Sequence, residues 1–137
     1  MSDFKRVHAI EGAARAGVVC RVLTNEENAA VRSNLASRWH VHRIDVLWGS
    51  HGSPTSSVGT KHPAKWFGRY QGEGPVFLLF PSSPAIVEFP TWNDLSRCIV
   101  EIPGLDFAVM SEDGADMAVF DSEGGLWLRG GLESLLP

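Results

Sequence analysis

Val76-Phe77-Leu78-Leu79-Phe80 is apolar at every position. A short run that is apolar on both faces belongs in the middle of a sheet, where neither face meets water. Pro81-Ser82-Ser83-Pro84 reads as a turn, so Ala85 to Phe89 is expected to pair antiparallel with the run. Thr91 then caps a helix carrying Trp92, Leu95, Ile99 and Ile102, with Asp94 in the capping-box position and Pro103-Gly104 as its stop. Asp106 to Met110, Met117 to Phe120 and Leu126 to Arg129 complete an antiparallel meander. Its turns, Ser111-Glu112-Asp113-Gly114 and Asp121-Ser122-Glu123-Gly124-Gly125, are built from the residues that tight turns require. Gly130-Gly131 breaks the last strand, and Leu132 to Leu136 is a short tail with apolar residues for docking on the core.

Working back from the central run, Lys65 to Tyr70 reads as a short strand, and Gly49 to Pro63 as a long polar loop. Loops of that length are usually functional or mobile. Arg43 to Trp48 alternates, with Ile44, Val46 and Trp48 on one face, which is a strand pattern. Thr24-Asn25-Glu26-Glu27 is a capping box, and the helix after it sets Val31, Leu35 and Trp39 on one stripe. Val18 to Leu23 fits a strand or a buried linker. A first helix, capped by Ser2 or Asp3 and ended by Gly17, sets Phe4, Val7, Ile10 and Ala14 on one face. The resulting expectation is a single α+β domain over residues 1–137. It has an antiparallel sheet of about five strands, two N-terminal helices and one inserted helix.

Composition sets the outer bounds. The 137 residues are 44% apolar and 20% charged, which suits one globular domain and excludes a disordered tail or a collagen-like rod. No apolar run approaches the roughly 20 residues of a membrane span. The first residues mix acidic and basic side chains where a signal peptide needs an apolar stretch, so the expected location is cytoplasmic, with no membrane partner. Cys20 and Cys98 have no CxxC partner and read as reduced thiols. The net charge of −4 is divided unequally along the chain. Through Gly72, ten Lys/Arg face five Asp/Glu; from Glu73 onward, two face eleven, so that half carries −9. An acidic half argues against nucleic acid and for a basic protein partner.

Few motifs suggest chemistry. His40-Val41-His42 is the best metal candidate, with His51 or His62 as a third imidazole, but no carboxylate or cysteine follows at a recognised spacing. Gly49-Ser50-His51-Gly52-Ser53 lacks the spacing of a nucleophile elbow. A small metal-dependent or hydrolytic enzyme using His40, His42 and the 49–63 loop is therefore the alternative reading, and no cofactor is expected. Trp39, Trp48 and Trp92 fall on apolar stripes and read as core, whereas Trp66 and Trp127 read as exposed, with Trp66 a candidate contact. Glu112, Asp113, Asp116, Asp121 and Glu123 crowd two successive turns with no basic residue among them. Such a cluster needs either full solvation or a cationic partner.

Glu101-Ile102-Pro103-Gly104-Leu105-Asp106-Phe107, the hairpin after it, Asp121-Ser122-Glu123-Gly124-Gly125-Leu126 and the closing Gly130 together resemble the C-terminal hairpins of small bacterial immunity proteins. Those are encoded beside polymorphic or contact-delivered toxins. The resemblance covers Val76 to Gly131; where relatives often carry an Asn-His-His-Asp turn, this chain has Asp121-Ser122-Glu123-Gly124. It implies a cytoplasmic, non-enzymatic protein that neutralises a cognate toxin by covering its active site or another essential surface. Joined to the charge pattern, the expectation is that Glu112, Asp113, Asp116, Asp121 and Glu123 dock together on a basic cleft. Trp66 or an exposed Met110 would serve as anchor.

Overall fold

The apolar run at Val76 lies at the centre of an antiparallel sheet, bonded on one side to Ile86–Phe89 and on the other to Phe107–Ser111. A computed structural model of the chain describes residues 4–40, 57–59, 63–70, 74–81, 83–99, 106–121 and 125–135. In chain order these residues form α1 (Phe4–Ala16), β1 (Arg21–Val22), α2 (Asn25–Trp39), β2 (Ser57–Gly59), α3 (Pro63–Phe67) and β3 (Val76–Leu79). Then follow β4 (Ile86–Phe89), α4 (Trp92–Ile99), β5 (Phe107–Ser111), β6 (Met117–Asp121), β7 (Gly125–Arg129) and a 3-10 helix (Gly130–Leu135). The strand order is β1-β4-β3-β5-β6-β7-β2. The fold is α+β, with a single antiparallel sheet of seven strands among the described residues.

The side-chain period of two divides the sheet residues between two cores. Val76, Leu78, Val87, Phe89, Val109 and Leu128 share one core with Ala9 and Ala13 of α1, Phe67 of α3 and Trp92 and Leu95 of α4. Phe77, Leu79, Ile86, Met110, Met117 and Val119 share the other with Val31 and Leu35 of α2. Helices thus cover both faces, which explains why β3 is buried at all four of its positions. The register sets Arg21, Glu88, Phe77, Met110, Met117 and Arg129 in one row across the α2 face. That row is apolar in the middle and charged at its ends.

Local chemistry starts the helices where the spacing predicts. The Thr24 hydroxyl accepts from the Glu27 amide at 3.2 Å, and the Glu27 carboxylate accepts from the Thr24 amide at 2.9 Å, a complete capping box. At α4 the Thr91 hydroxyl accepts from the Asp94 amide at 3.1 Å and donates to the Asp94 carboxylate at 3.0 Å. The 3-10 helix buries Leu132 in the core, as expected of the tail.

Three expectations change. Lys65 to Tyr70 is not a strand: Pro63 opens α3, because proline suits the first helical turn, and the aromatic pair Trp66-Phe67 lies on that helix. The sheet has more than five strands because β1 and β2, two and three residues long, are held by pairing with β4 and β7. The buried face of α1 carries Ala9 and Ala13, while Ile10 is 42% exposed and Ala14 is exposed. Small residues let α1 approach α4 closely, and the Cys98 thiol reaches the Ala9 carbonyl at 3.5 Å. Arg43 to Trp48 lies outside the described residues.

Candidate functional site

The turn joining β5 to β6 is tied down by its own acids. Ser111 Oγ donates to Asp113 Oδ1 at 2.7 Å, and that oxygen also accepts the Ala115 amide at 3.0 Å. These bonds hold the Asp113 carboxyl below its ordinary range, the Ala115 amide contributing most. Asp116 accepts twice: from the Tyr70 hydroxyl at 2.6 Å and from the Gly131 amide at 2.6 Å. On the other side the Trp39 indole donates to the Gly114 carbonyl at 2.7 Å. Gly114 adopts φ 76°, and a Cβ there would come within 2.8 Å of the Asn34 side chain. The turn is therefore braced by α2, by the residue Tyr70 beyond α3 and by the 3-10 helix.

Beside it a groove of about 350 Å³ opens between α2 and the β1–β4–β3 end of the sheet. Leu23, Val31 and Phe77 form its apolar floor, and Glu27, Glu88 and Glu112 carry charge on its rim. Arg21 grips two of these acids: both terminal nitrogens meet Glu27 at 2.7 and 2.5 Å, and Nε meets Glu88 Oε2 at 2.8 Å. The Arg21 bonds are the largest cause holding the Glu27 carboxyl down at about 2, with the Thr24 amide next. Those same carboxylates raise the Arg21 guanidinium above its ordinary value. Three carboxylates against one guanidinium leave the rim negative.

The five acids expected to act together are separated. Glu112 and Asp113 are exposed in the β5–β6 turn, and Asp116 is half-buried at its far side. Asp121 closes β6 at the opposite end, roughly 14 Å away at about 3.4 Å per residue. The reason is topological: consecutive hairpin turns of a meander alternate between the two ends of the sheet. Glu123 lies outside the described residues. Trp66 is half-buried against the core on the other face from α2, with the Arg69 guanidinium 5.2 Å from its ring. Met110 is fully buried, 0% exposed, and cannot anchor a partner, because the β5 run is covered on both faces. Trp127 is likewise half-buried.

Of the histidine pair, His40 is the left-handed C-cap of α2, with φ 57°, and is exposed; His42, His51 and His62 lie outside the described residues. Among the described residues, no three His, Cys, Asp or Glu gather as a metal set. The Gly49 to Pro63 loop is described only at Ser57–Gly59 and Pro63, and Ser57–Gly59 pairs with β7 at the edge remote from the groove. Neither cysteine forms a disulfide, and burial raises the Cys20 thiol. No helix among the described residues is long and apolar enough to cross a membrane.

Nothing in the spacing of the sequence marks Glu27, Glu88 and Arg21 as one site. Glu27 had a sufficient role in the capping box. Glu88 did carry a signal, as the polar residue of the otherwise apolar strand Ile86-Val87-Glu88-Phe89. Compared with protein-family models, with curated proteins and with solved structures, the chain matches none.

Proposed function

We propose that the protein is a non-catalytic inhibitor of the immunity type, which neutralises a cognate bacterial toxin by seating its acidic corner in the toxin's basic active-site cleft. The braced β5–β6 turn carries this reading. Asp113 and Asp116 accept four hydrogen bonds that hold the turn, and Glu112 beside them faces solvent. A loop already ordered in the free protein loses little conformational entropy on docking, which favours affinity. The −9 carried from Glu73 onward adds a field that speeds encounter with a basic partner. Asp121, at the other end of β6, is not part of the proposed contact.

The test is to search the genes flanking its own for a toxin domain, to express the chain beside that domain and score survival, then to measure association kinetics with the purified pair. Wild type is expected to protect. Glu112→Arg is expected to slow association at least tenfold at low salt, and by less once salt screens beyond about 8 Å. Toxicity undiminished by wild type, with no complex formed, would overturn the proposal. So would a Glu112→Arg variant that associates as fast as wild type.

A further inference from the structure

We propose that the groove between α2 and the β1–β4–β3 end of the sheet is an anchor pocket for an arginine side chain on a basic segment of a protein partner. The inference rests on the inhibitor reading above and names the chemistry of the contact. Size is the first argument. At about 350 Å³ the groove sits at the small end of ligand pockets, so it suits one long side chain rather than a folded element. Chemistry is the second. An apolar floor of Leu23, Val31 and Phe77 under a rim of Glu27, Glu88 and Glu112 matches a side chain with an aliphatic stem and a cationic head.

Arg21 shows how this rim receives a guanidinium: forked onto Glu27, with its Nε on one oxygen of Glu88. The other Glu88 oxygen and the Glu112 carboxylate accept no hydrogen bond from the described residues. They provide the acceptors for a second guanidinium, this one from the partner. A planar five-donor fork fits two spaced carboxylates better than the point charge of lysine. A metal ion is disfavoured, because Arg21 already holds two of the three carboxylates and would repel it. Glu112 belongs to both the braced turn and the groove rim, so a partner arginine here would lie directly beside the acidic corner.

The probes are hexaarginine and hexalysine peptides, titrated into the full chain and followed by methyl and amide NMR. Hexaarginine is expected to shift the Leu23 and Val31 methyls and the Phe77 amide saturably, and to bind at least fivefold more tightly than hexalysine. Glu112→Gln is expected to weaken it at least fivefold. Ala30→Trp, which fills the groove from the exposed wall of α2, is expected to abolish those shifts while the rest of the spectrum stays folded. Shifts elsewhere on the surface, equal binding of the two peptides, or hexaarginine binding unchanged in Ala30→Trp would overturn the proposal. The two readings fail separately. If Ala30→Trp still protects cells while Glu112→Arg does not, the groove falls and the corner stands. If hexaarginine binds in the groove but the chain never protects, the inhibitor reading falls and the pocket stands.

Discussion

Tyr70 is the only tyrosine in the chain, so its ionisation can be followed without overlap from another phenol. Burial first, then the hydrogen bond it donates to Asp116, pushes that ionisation from the usual 10.0 up to about 12. A folded value above the unfolded one means that the contribution to stability is whole below pH 10.0 and is lost as pH rises through about 12. Tyrosinate absorbance is expected to rise with a midpoint near that higher value, and Asp116→Asn to move it down. Urea unfolding of Asp116→Asn is expected to show a loss of about 1–2 kcal/mol, since a charged acceptor serving two donors becomes a neutral one. An unmoved midpoint would separate Tyr70 from Asp116. Glu27 runs in the opposite direction. Its folded value of about 2 lies below the ordinary 4.5, so what it contributes is complete above pH 4.5 and fades as pH falls through about 2. Glu27→Gln is expected to remove that part of the acid dependence, read as a shallower loss of stability between those limits.

Among the elements, β3 and β1 mark the two extremes. β3 has a bonded strand on each side and apolar cover on both faces, so its amides should exchange most slowly, and those of the two-residue β1 much faster. Leu78→Ala is expected to cost about 2–5 kcal/mol by chemical denaturation, because 0% exposure leaves a cavity where the side chain was. Fast exchange at Leu78 would overturn its central placement. In α1, the Ala9 and Ala13 face meets α4 at close range. Ala13→Leu is therefore expected to destabilise by about 1–3 kcal/mol through overpacking, although leucine is a good helix former. Periodicity alone placed the apolar face one residue round, on Ile10 and Ala14. A hydrophobic-stripe reading favours large residues, while the actual contact with α4 selects small ones.

Across the whole molecule, the acids of the meander are divided between two ends of the sheet. Glu112 and Asp121 are separated by the length of β6, roughly 14 Å, which exceeds the Debye length of about 8 Å at physiological ionic strength. Asp121→Asn is accordingly expected to change partner association less than twofold at that ionic strength, well below the effect of Glu112→Arg under the same conditions. Equal effects would mean that both ends touch the partner. This separation was legible in the sequence once the strands were paired as a meander, because each hairpin reverses the chain. Reading the acids as one cluster followed their nearness along the chain and overlooked that reversal. The groove was not legible in the same way. Its acids come from a helix cap, a strand and a turn, Glu27, Glu88 and Glu112, and only the pairing of β1 with β4 brings Arg21 opposite Glu88. Features with local causes could be read from the residues alone: the central apolar run, the threonine caps at Thr24 and Thr91, the turns of the meander and the α+β class. The short edge strands, the buried face of α1, the burial of Met110 and the convergence of charges on Arg21 emerge only once the chain is folded. Each of these depends on residues far apart in the chain, and side-chain period and turn chemistry reach only a few residues along it.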